Sequence, residues 1–62
     1  MQEYFDKHGK EIKAGMTIKH DNGDIELVHL NFNEDDLGIN ASTFEIYPLY
    51  QFNLKEWEIV EE

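Results

Sequence analysis

The chain has 62 residues, no cysteine and a formal net charge of −9 at pH 7. A chain this short forms one small domain, residues 1–62, without room for a deep active-site cleft, and the lack of cysteine excludes disulfides and thiolate metal sites. Residues 1–20 carry a net charge of +1 and residues 21–62 a net charge of −10, which disfavours direct binding to nucleic acid or to an anionic membrane.

Two short strands joined by a turn are predicted at the N-terminus. Residues 2–5 and 10–12 flank the sequence Asp6-Lys7-His8-Gly9. Aspartate in the first position and glycine in the last position are typical of a type I turn. We therefore expect residues 6–9 to reverse the chain between the two strands.

A β-hairpin over residues 16–30 is the clearest predicted element. Residues 16–20 and 24–30 alternate apolar with polar side chains, as half-buried strands do, and Asn22-Gly23 suits a two-residue type I′ turn. Such a turn would place Ile18 opposite Leu27, Lys19 opposite Glu26, and Asp21 opposite Asp24. One face would then carry four apolar side chains bounded by two histidines: Met16, Ile18, Ile25, Leu27, His20 and His29.

Further strands and one helical turn are predicted in the second half of the chain. Residues 37–40 follow an acidic loop, and residues 44–49 form a strand limited by Pro48, which cannot donate a ladder hydrogen bond. Residues 53–56 predict one helical turn with Asn53 as its cap, and residues 57–60 a final strand. These elements indicate a mainly β fold: a small five-stranded SH3-like barrel with one short helical turn before the last strand, or alternatively an OB-like barrel.

The segment 6–18 resembles the opening of YopX-type proteins, which are small proteins encoded by phages and mobile elements of Gram-positive bacteria. The shared pattern reads Asp6-Lys7-His8-Gly9-Lys10-Glu11-Ile12 here, followed by Gly15 and Ile18. Family members are longer and usually have an aspartate where this chain has Met16. The resemblance implies a β-barrel and a mobile-element origin, and it implies no catalytic activity.

No residue set in the sequence predicts catalysis, a cofactor or a metal site. Cysteine is absent, Ser42 is the only serine, and the four glycines are scattered, so neither a nucleophile motif nor a phosphate-binding loop is present. His20 and His29 would lie about 13 Å apart along the predicted hairpin, at roughly 3.3 Å per residue. One metal ion cannot bridge that distance, and we expect a protein that is not an enzyme.

Aromatic residues are concentrated in residues 44–57, and tyrosine and tryptophan are favoured at protein interfaces. We expect Phe44 and Trp57 in the core and the tyrosines that flank Pro48 at the surface. The predicted partner-binding surface joins those tyrosines with the acidic loop, and its residues are Tyr47, Tyr50, Glu34, Asp35 and Asp36. The sequence thus predicts a non-enzymatic module that binds a protein partner, and a basic partner would suit its charge.

Two other functions fit the composition. One is a nucleic-acid mimic that inhibits a host DNA-binding enzyme, which requires the carboxylates of residues 21–62 to form one continuous stripe. The other is a structural or assembly component of a phage particle, which requires self-association. Since residues 1–6 carry neither the basic nor the apolar region of a secretory signal, we expect a cytoplasmic protein in each case.

Overall fold

The computed structural model describes residues 2–31, 36–40 and 46–61, and the protein is mainly β over these ranges. The strands are β1 (Tyr4–Phe5), β2 (Glu11–Ile12), β3 (Thr17–His20), β4 (Ile25–Asn31), β5 (Asp36–Ile39), β6 (Tyr47–Pro48) and β7 (Trp57–Val60). Two short 3-10 turns, η1 (Leu49–Gln51) and η2 (Leu54–Glu56), precede the last strand. The mainly β fold class is therefore confirmed.

The main sheet is open, and the prediction of a closed barrel is wrong for the described strands. Five antiparallel strands follow the order β6-β5-β4-β3-β7, and β1 and β2 form a separate two-stranded ribbon. At the β7 edge, the N–H of Lys7 donates to the carbonyl of Trp57 (2.8 Å), and the N–H of Ile59 donates to the carboxylate of Asp6 (3.0 Å). The N-terminal turn thus supplies partners that barrel closure would otherwise provide.

Asp6 is the buried centre of this N-terminal turn. The turn is closed by a hydrogen bond from the N–H of Gly9 to the carbonyl of Asp6 (3.0 Å). The Asp6 side chain is only 6% exposed, and its second oxygen accepts hydrogen bonds from the N–H groups of His8 and Lys10, both at 2.9 Å. The predicted reversal over residues 6–9 is confirmed, and the Asp6 carboxylate also ties it to β7.

The hairpin of β3 and β4 is present, but its predicted register is wrong by one residue. Ile18 lies opposite Glu26, and Lys19 lies opposite Ile25. The predicted pairing of Lys19 with Glu26 is therefore absent, and Lys19 faces Glu58 of β7 on its other side. His20 lies opposite Trp57, whereas His29 lies opposite Gly38, so the two histidines occupy opposite faces rather than one.

The loop length causes this shift. The N–H of His20 donates to the carbonyl of Asp24 (2.8 Å), and the N–H of Gly23 donates to the carbonyl of His20 (2.9 Å). The loop therefore has three residues, with Gly23 in the left-handed region at φ 100°, which is the usual three-residue alternative to a type I′ turn. Asp21 belongs to the loop and binds Lys7 at 2.5 Å, so the predicted Asp21–Asp24 pair does not form.

The core lies between the inner face of the sheet and the β1–β2 ribbon. On β4 the inner residues are Val28, which lies opposite Ile39, and Leu30, which lies opposite Leu37. The side of β4 that carries Val28 and Leu30 is therefore the buried side, and Ile25 and Leu27 lie on the opposite side of the strand. The buried core side chains are Tyr4, Ile12, Ile18, Val28, Leu37, Ile39, Leu49 and Trp57.

The C-terminal elements follow the prediction more closely. Asn53 caps η2 by accepting a hydrogen bond from the N–H of Lys55 (3.2 Å), and Trp57 is buried as expected. Of residues 46–49, which are the described part of the strand predicted over residues 44–49, only Tyr47–Pro48 pair with β5, and the chain then enters η1. Phe44 lies outside the described residues.

Candidate functional site

The predicted partner surface is divided between described and undescribed residues. Glu34 and Asp35 lie outside the described residues, whereas Asp36, Tyr47 and Tyr50 lie within them. Ile39 pairs with Tyr47 in the antiparallel β5–β6 ladder. Because the two strands run in opposite directions, the chain after Tyr47 returns toward the level of Asp36, at the start of β5.

Asp36 is engaged by its own protein. Its carboxylate accepts a hydrogen bond from the hydroxyl of Tyr4 (2.9 Å) and another from the N–H of Leu37 (2.8 Å). Burial, followed by the hydrogen bond to Asp36 and the charges of Asp36 and Tyr50, raises the pKa of Tyr4 to about 12. The Tyr4–Asp36 hydrogen bond thus joins the ribbon to the start of β5.

The two predicted tyrosines differ in exposure. Tyr47 is half-buried on β6. Tyr50 is 61% exposed, which leaves most of its ring free for contact. Tyr50 is therefore the more exposed of the two tyrosines.

A second surface consists of the side chains on the other side of the main sheet from the core. We call it the outer sheet face, and on β3, β4 and β7 its residues are Ile25, Leu27, His29, Thr17, Lys19, Glu58 and Val60. Leu27, Thr17 and Val60 form one row across β4, β3 and β7, and Ile25, Lys19 and Glu58 form the next. Ile25 is 60% exposed, Leu27 46% and Val60 36%.

This surface was not predicted from the sequence, because the predicted register of β3 and β4 is wrong by one residue. A shift of one residue moves every side chain of a strand to the opposite face, and Ile25 and Leu27 were expected in the core. The available signal was the adjacent pair Leu27-Val28, where the alternation of apolar residues along β4 changes phase. Two competing apolar sets cannot both face the core, and one of them must be exposed.

Lysine–carboxylate pairs occur near the borders of the sheet. Lys7 binds Asp21, and Lys10 binds Glu61, each at 2.5 Å. All four side chains are at least partly exposed, so solvent screens both pairs and they stabilise the fold only weakly. The carboxylates neutralise Lys7 and Lys10, so less positive charge is available to attract anions. The net charge of the chain is −9.

The tip of the β3–β4 hairpin contacts η2 beside an open cleft of about 320 Å³. His20 Nε2 lies 3.1 Å from Glu56 Oε1, and the His20 ring packs edge-on against Trp57 at 4.9 Å between ring centres. The hydrogen bond to Glu56, opposed by partial burial and supported by Asn22, raises the pKa of His20 above its usual value. The pair holds the hairpin tip in place.

A second open cleft, of about 380 Å³, lies between the ribbon and the main sheet. Its apolar lining includes Ile12, Leu30 and Leu37, which also belong to the core or pack against it. Within the described ranges, no group of three or more His, Cys, Asp or Glu side chains is arranged to hold a metal ion.

No family model, curated protein or solved structure matches this chain. The resemblance of residues 6–18 to YopX-type proteins therefore stays a prediction. In the part of the chain that the structure describes, none of the helices has the length and apolar character needed to cross a membrane.

Proposed function

We propose that this protein is a non-enzymatic module that binds a protein partner through Tyr50, supported by Tyr47, Asp36 and the acidic residues Glu34 and Asp35. The observation that carries the proposal is the 61% exposure of Tyr50 in the short turn η1 that follows β6. An exposed aromatic ring on a fixed support provides contact area at a low entropic cost. The proposed binding does not depend on any catalytic group.

The charge of the protein favours a basic partner. Arginine and lysine side chains are attracted to aromatic rings and to carboxylates, and the chain offers the exposed ring of Tyr50 and fourteen acidic residues. The net charge of −9 would also speed the approach of a positively charged protein at low salt. Complex formation should therefore weaken with increasing ionic strength, without being abolished where aromatic contacts dominate.

The fold and origin predicted from the sequence belong to the same proposal. The 3-10 turn η2 directly before β7 supports an SH3-like relationship, although the main sheet is open. A mobile-element origin, proposed from the resemblance of residues 6–18, would suit a small protein that acts by binding a host component. A cytoplasmic location is proposed on the same grounds.

Affinity capture from a bacterial lysate, with nuclease treatment and stepwise salt elution, tests the proposal. The wild-type protein is compared with Tyr50→Ser and with the matched control Gln51→Ser, which changes the neighbouring exposed residue of η1. We expect a protein that is retained by the wild type and by the control and is lost with Tyr50→Ser.

Other outcomes of this experiment would overturn the proposal. Equal retention of every partner by the Tyr50 variant would exclude this surface. A DNA-binding enzyme that elutes at moderate salt from all three proteins would favour nucleic-acid mimicry. Recovery of the bait alone, together with self-association at micromolar concentration in light scattering, would favour an assembly role.

A further inference from the structure

Both ring nitrogens of His20 are engaged at the tip of the β3–β4 hairpin. The backbone N–H of Asn22 donates a hydrogen bond to Nδ1 (3.0 Å), and Nε2 lies 3.1 Å from Oε1 of Glu56. The ring also packs edge-on against Trp57, with 4.9 Å between ring centres. Asn22, Glu56 and Trp57 thus hold the imidazole in one orientation.

These contacts determine where the proton of the neutral ring lies. A backbone N–H group can only donate, so the Nδ1 atom that faces Asn22 accepts and carries no proton. The Glu56 carboxylate accepts, so the proton is on Nε2, which donates to it. The neutral ring with its proton on Nε2 therefore satisfies both partners at once.

A second proton on the ring is incompatible with one of the two contacts. It would be added at Nδ1, and both ring nitrogens would then be donors. The Nδ1–H and the N–H of Asn22 would face each other where the hydrogen bond of 3.0 Å now lies, so that bond cannot persist. The bond to Glu56 would persist and become stronger, because both of its partners would be charged.

The side chain of Asn22 offers the charged ring another acceptor, but this acceptor already has a partner. Its Oδ1 atom accepts a hydrogen bond from the N–H of Asp24 (2.9 Å), and its Nδ2 group donates to the Asp24 carboxylate (3.2 Å). A charged Nδ1–H would compete with Asp24 for this oxygen. Each charge state of His20 therefore favours a different set of hydrogen bonds in the loop.

Most charged groups around His20 favour its protonation. The carboxylates of the loop, of β4 and of η2 that lie next to the ring in the chain or line its cleft are Asp21, Asp24, Glu26 and Glu56. Lys7 of the N-terminal turn is bound to Asp21 at 2.5 Å. β7 faces the ring with the uncharged Trp57, and η1 borders the cleft with the uncharged Gln51. Protonation is therefore expected in the ordinary range of histidine, between about pH 5 and 8.

We propose that the tip of the β3–β4 hairpin is a pH-sensitive switch, in which protonation of His20 releases the N–H of Asn22 and rearranges the loop 21–23. The contact with Glu56 would keep the end of β3 on η2 in both states. Asn22 and Asp24 line the cleft of about 320 Å³ that Gln51 of η1 also borders, so the rearrangement would change the shape of this cleft. The inference does not depend on the proposed function.

A pH titration of the ¹⁵N-labelled protein, followed by NMR, tests the inference. Above the pKa of His20, we expect the ring proton on Nε2 and a ¹⁵N–¹⁵N coupling across the hydrogen bond from Asn22 to Nδ1. The coupling should disappear as the ring is protonated. The amide signals of Asn22 and Asp24 should move toward their positions in the urea-unfolded protein, with the same midpoint as the His20 ring.

Three variants make the test specific. His20→Asn places an acceptor oxygen near the position of Nδ1 but does not titrate, so the amide signals of Asn22 and Asp24 should stay constant between about pH 5 and 8. The matched control His29→Asn changes a histidine on the opposite face of the sheet and should keep the transition. Glu56→Gln should move the midpoints of the ring and of the Asn22 amide to lower pH together.

Several results would overturn the switch. A neutral ring with its proton on Nδ1, no coupling above the pKa, or a coupling that persists in the protonated protein would each contradict the assigned hydrogen bonds. Amide signals of Asn22 and Asp24 that still titrate in His20→Asn would assign the transition to another group. If His20→Asn does not fold, unequal midpoints of the ring and the Asn22 amide in Glu56→Gln would contradict the coupling between them.

Discussion

Replacing Asp6 by asparagine should destabilise the protein more than any other single change of an aspartate in the described residues. The Asp6 carboxylate is 6% exposed and accepts backbone hydrogen bonds from His8, Lys10 and Ile59 at 2.9–3.0 Å. Asparagine offers one acceptor oxygen, so an amide N–H group would meet the N–H of Ile59 or those of His8 and Lys10. At about 1.5–3 kcal/mol for a hydrogen bond to a charged group, we expect a loss of roughly 2–4 kcal/mol.

Such a loss is large for this chain. A domain of this length has a free energy of unfolding of about 3–9 kcal/mol, and each kcal/mol shifts Tm by roughly 4–8 °C. Urea unfolding followed by Trp57 fluorescence measures the effect, with exposed Asp24→Asn as the matched control. A loss below about 0.5 kcal/mol for Asp6→Asn, comparable to a surface substitution, would refute the reasoning that Asp6 joins the N-terminal turn to β7.

The same carboxylate makes the stability depend on pH. Burial opposes ionisation of Asp6, but the three backbone N–H groups outweigh it and lower the pKa of the carboxyl below its usual value. A lowered pKa in the folded state stabilises the protein above the unfolded value of about 3.9. This contribution is lost as the pH falls through the folded pKa. The stability difference between wild type and Asp6→Asn should therefore shrink below about pH 4.

Further predictions concern a close backbone contact and a histidine. Gly38→Ala should destabilise the protein by about 1–3 kcal/mol in urea unfolding, because a methyl group would lie 2.6 Å from the carbonyl oxygen of Tyr47; an unchanged midpoint would contradict the close β5–β6 contact. Glu56→Gln should lower the pKa of His20 in an NMR titration, because the hydrogen bond to Glu56 is the main cause of its raised value. Since His20 is more basic in the folded state, its contribution to stability is present below about pH 6.5 and is lost as the pH rises through the folded pKa. If His20 titrates identically in the wild type and in Glu56→Gln, the His20–Glu56 hydrogen bond is excluded.

Local signals predicted the turns and several strands correctly. The Asp6-to-Gly9 turn and the capped turn at Asn53 depend on residues close together in the chain, and both formed as expected. The final strand and the burial of Trp57 were also correct. In each case the chemistry that decides the structure lies within a few residues.

The register of β3 and β4 could not be predicted from local signals alone. Asn22-Gly23 suits a two-residue turn, but Asp21-Asn22-Gly23 forms an equally acceptable three-residue loop. The choice depends on β5, because Val28 and Leu30 meet Ile39 and Leu37 across the sheet. Pairing with a strand further along the chain overrode the turn signal, as tertiary packing commonly overrides local propensity.

The candidate site was predicted only in part. Tyr50 was expected at the surface from its type and its position beside Pro48, and it is exposed. The outer sheet face was missed because its exposure follows from the register. Closure of the barrel was wrong for a similar reason, since the partners of the β7 edge come from Asp6 and Lys7, more than fifty residues away from Ile59 along the chain.

The register of β4 decides which side chains are available on the outer sheet face, and a paired unfolding measurement tests it most directly. Val28 is 1% exposed and Leu27 is 46% exposed. Val28→Thr buries a hydroxyl in the core and should cost about 1–3 kcal/mol, whereas Leu27→Thr should cost less than about 1 kcal/mol. A large loss for Leu27→Thr with a small loss for Val28→Thr would restore the two-residue turn and contradict the exposed apolar face.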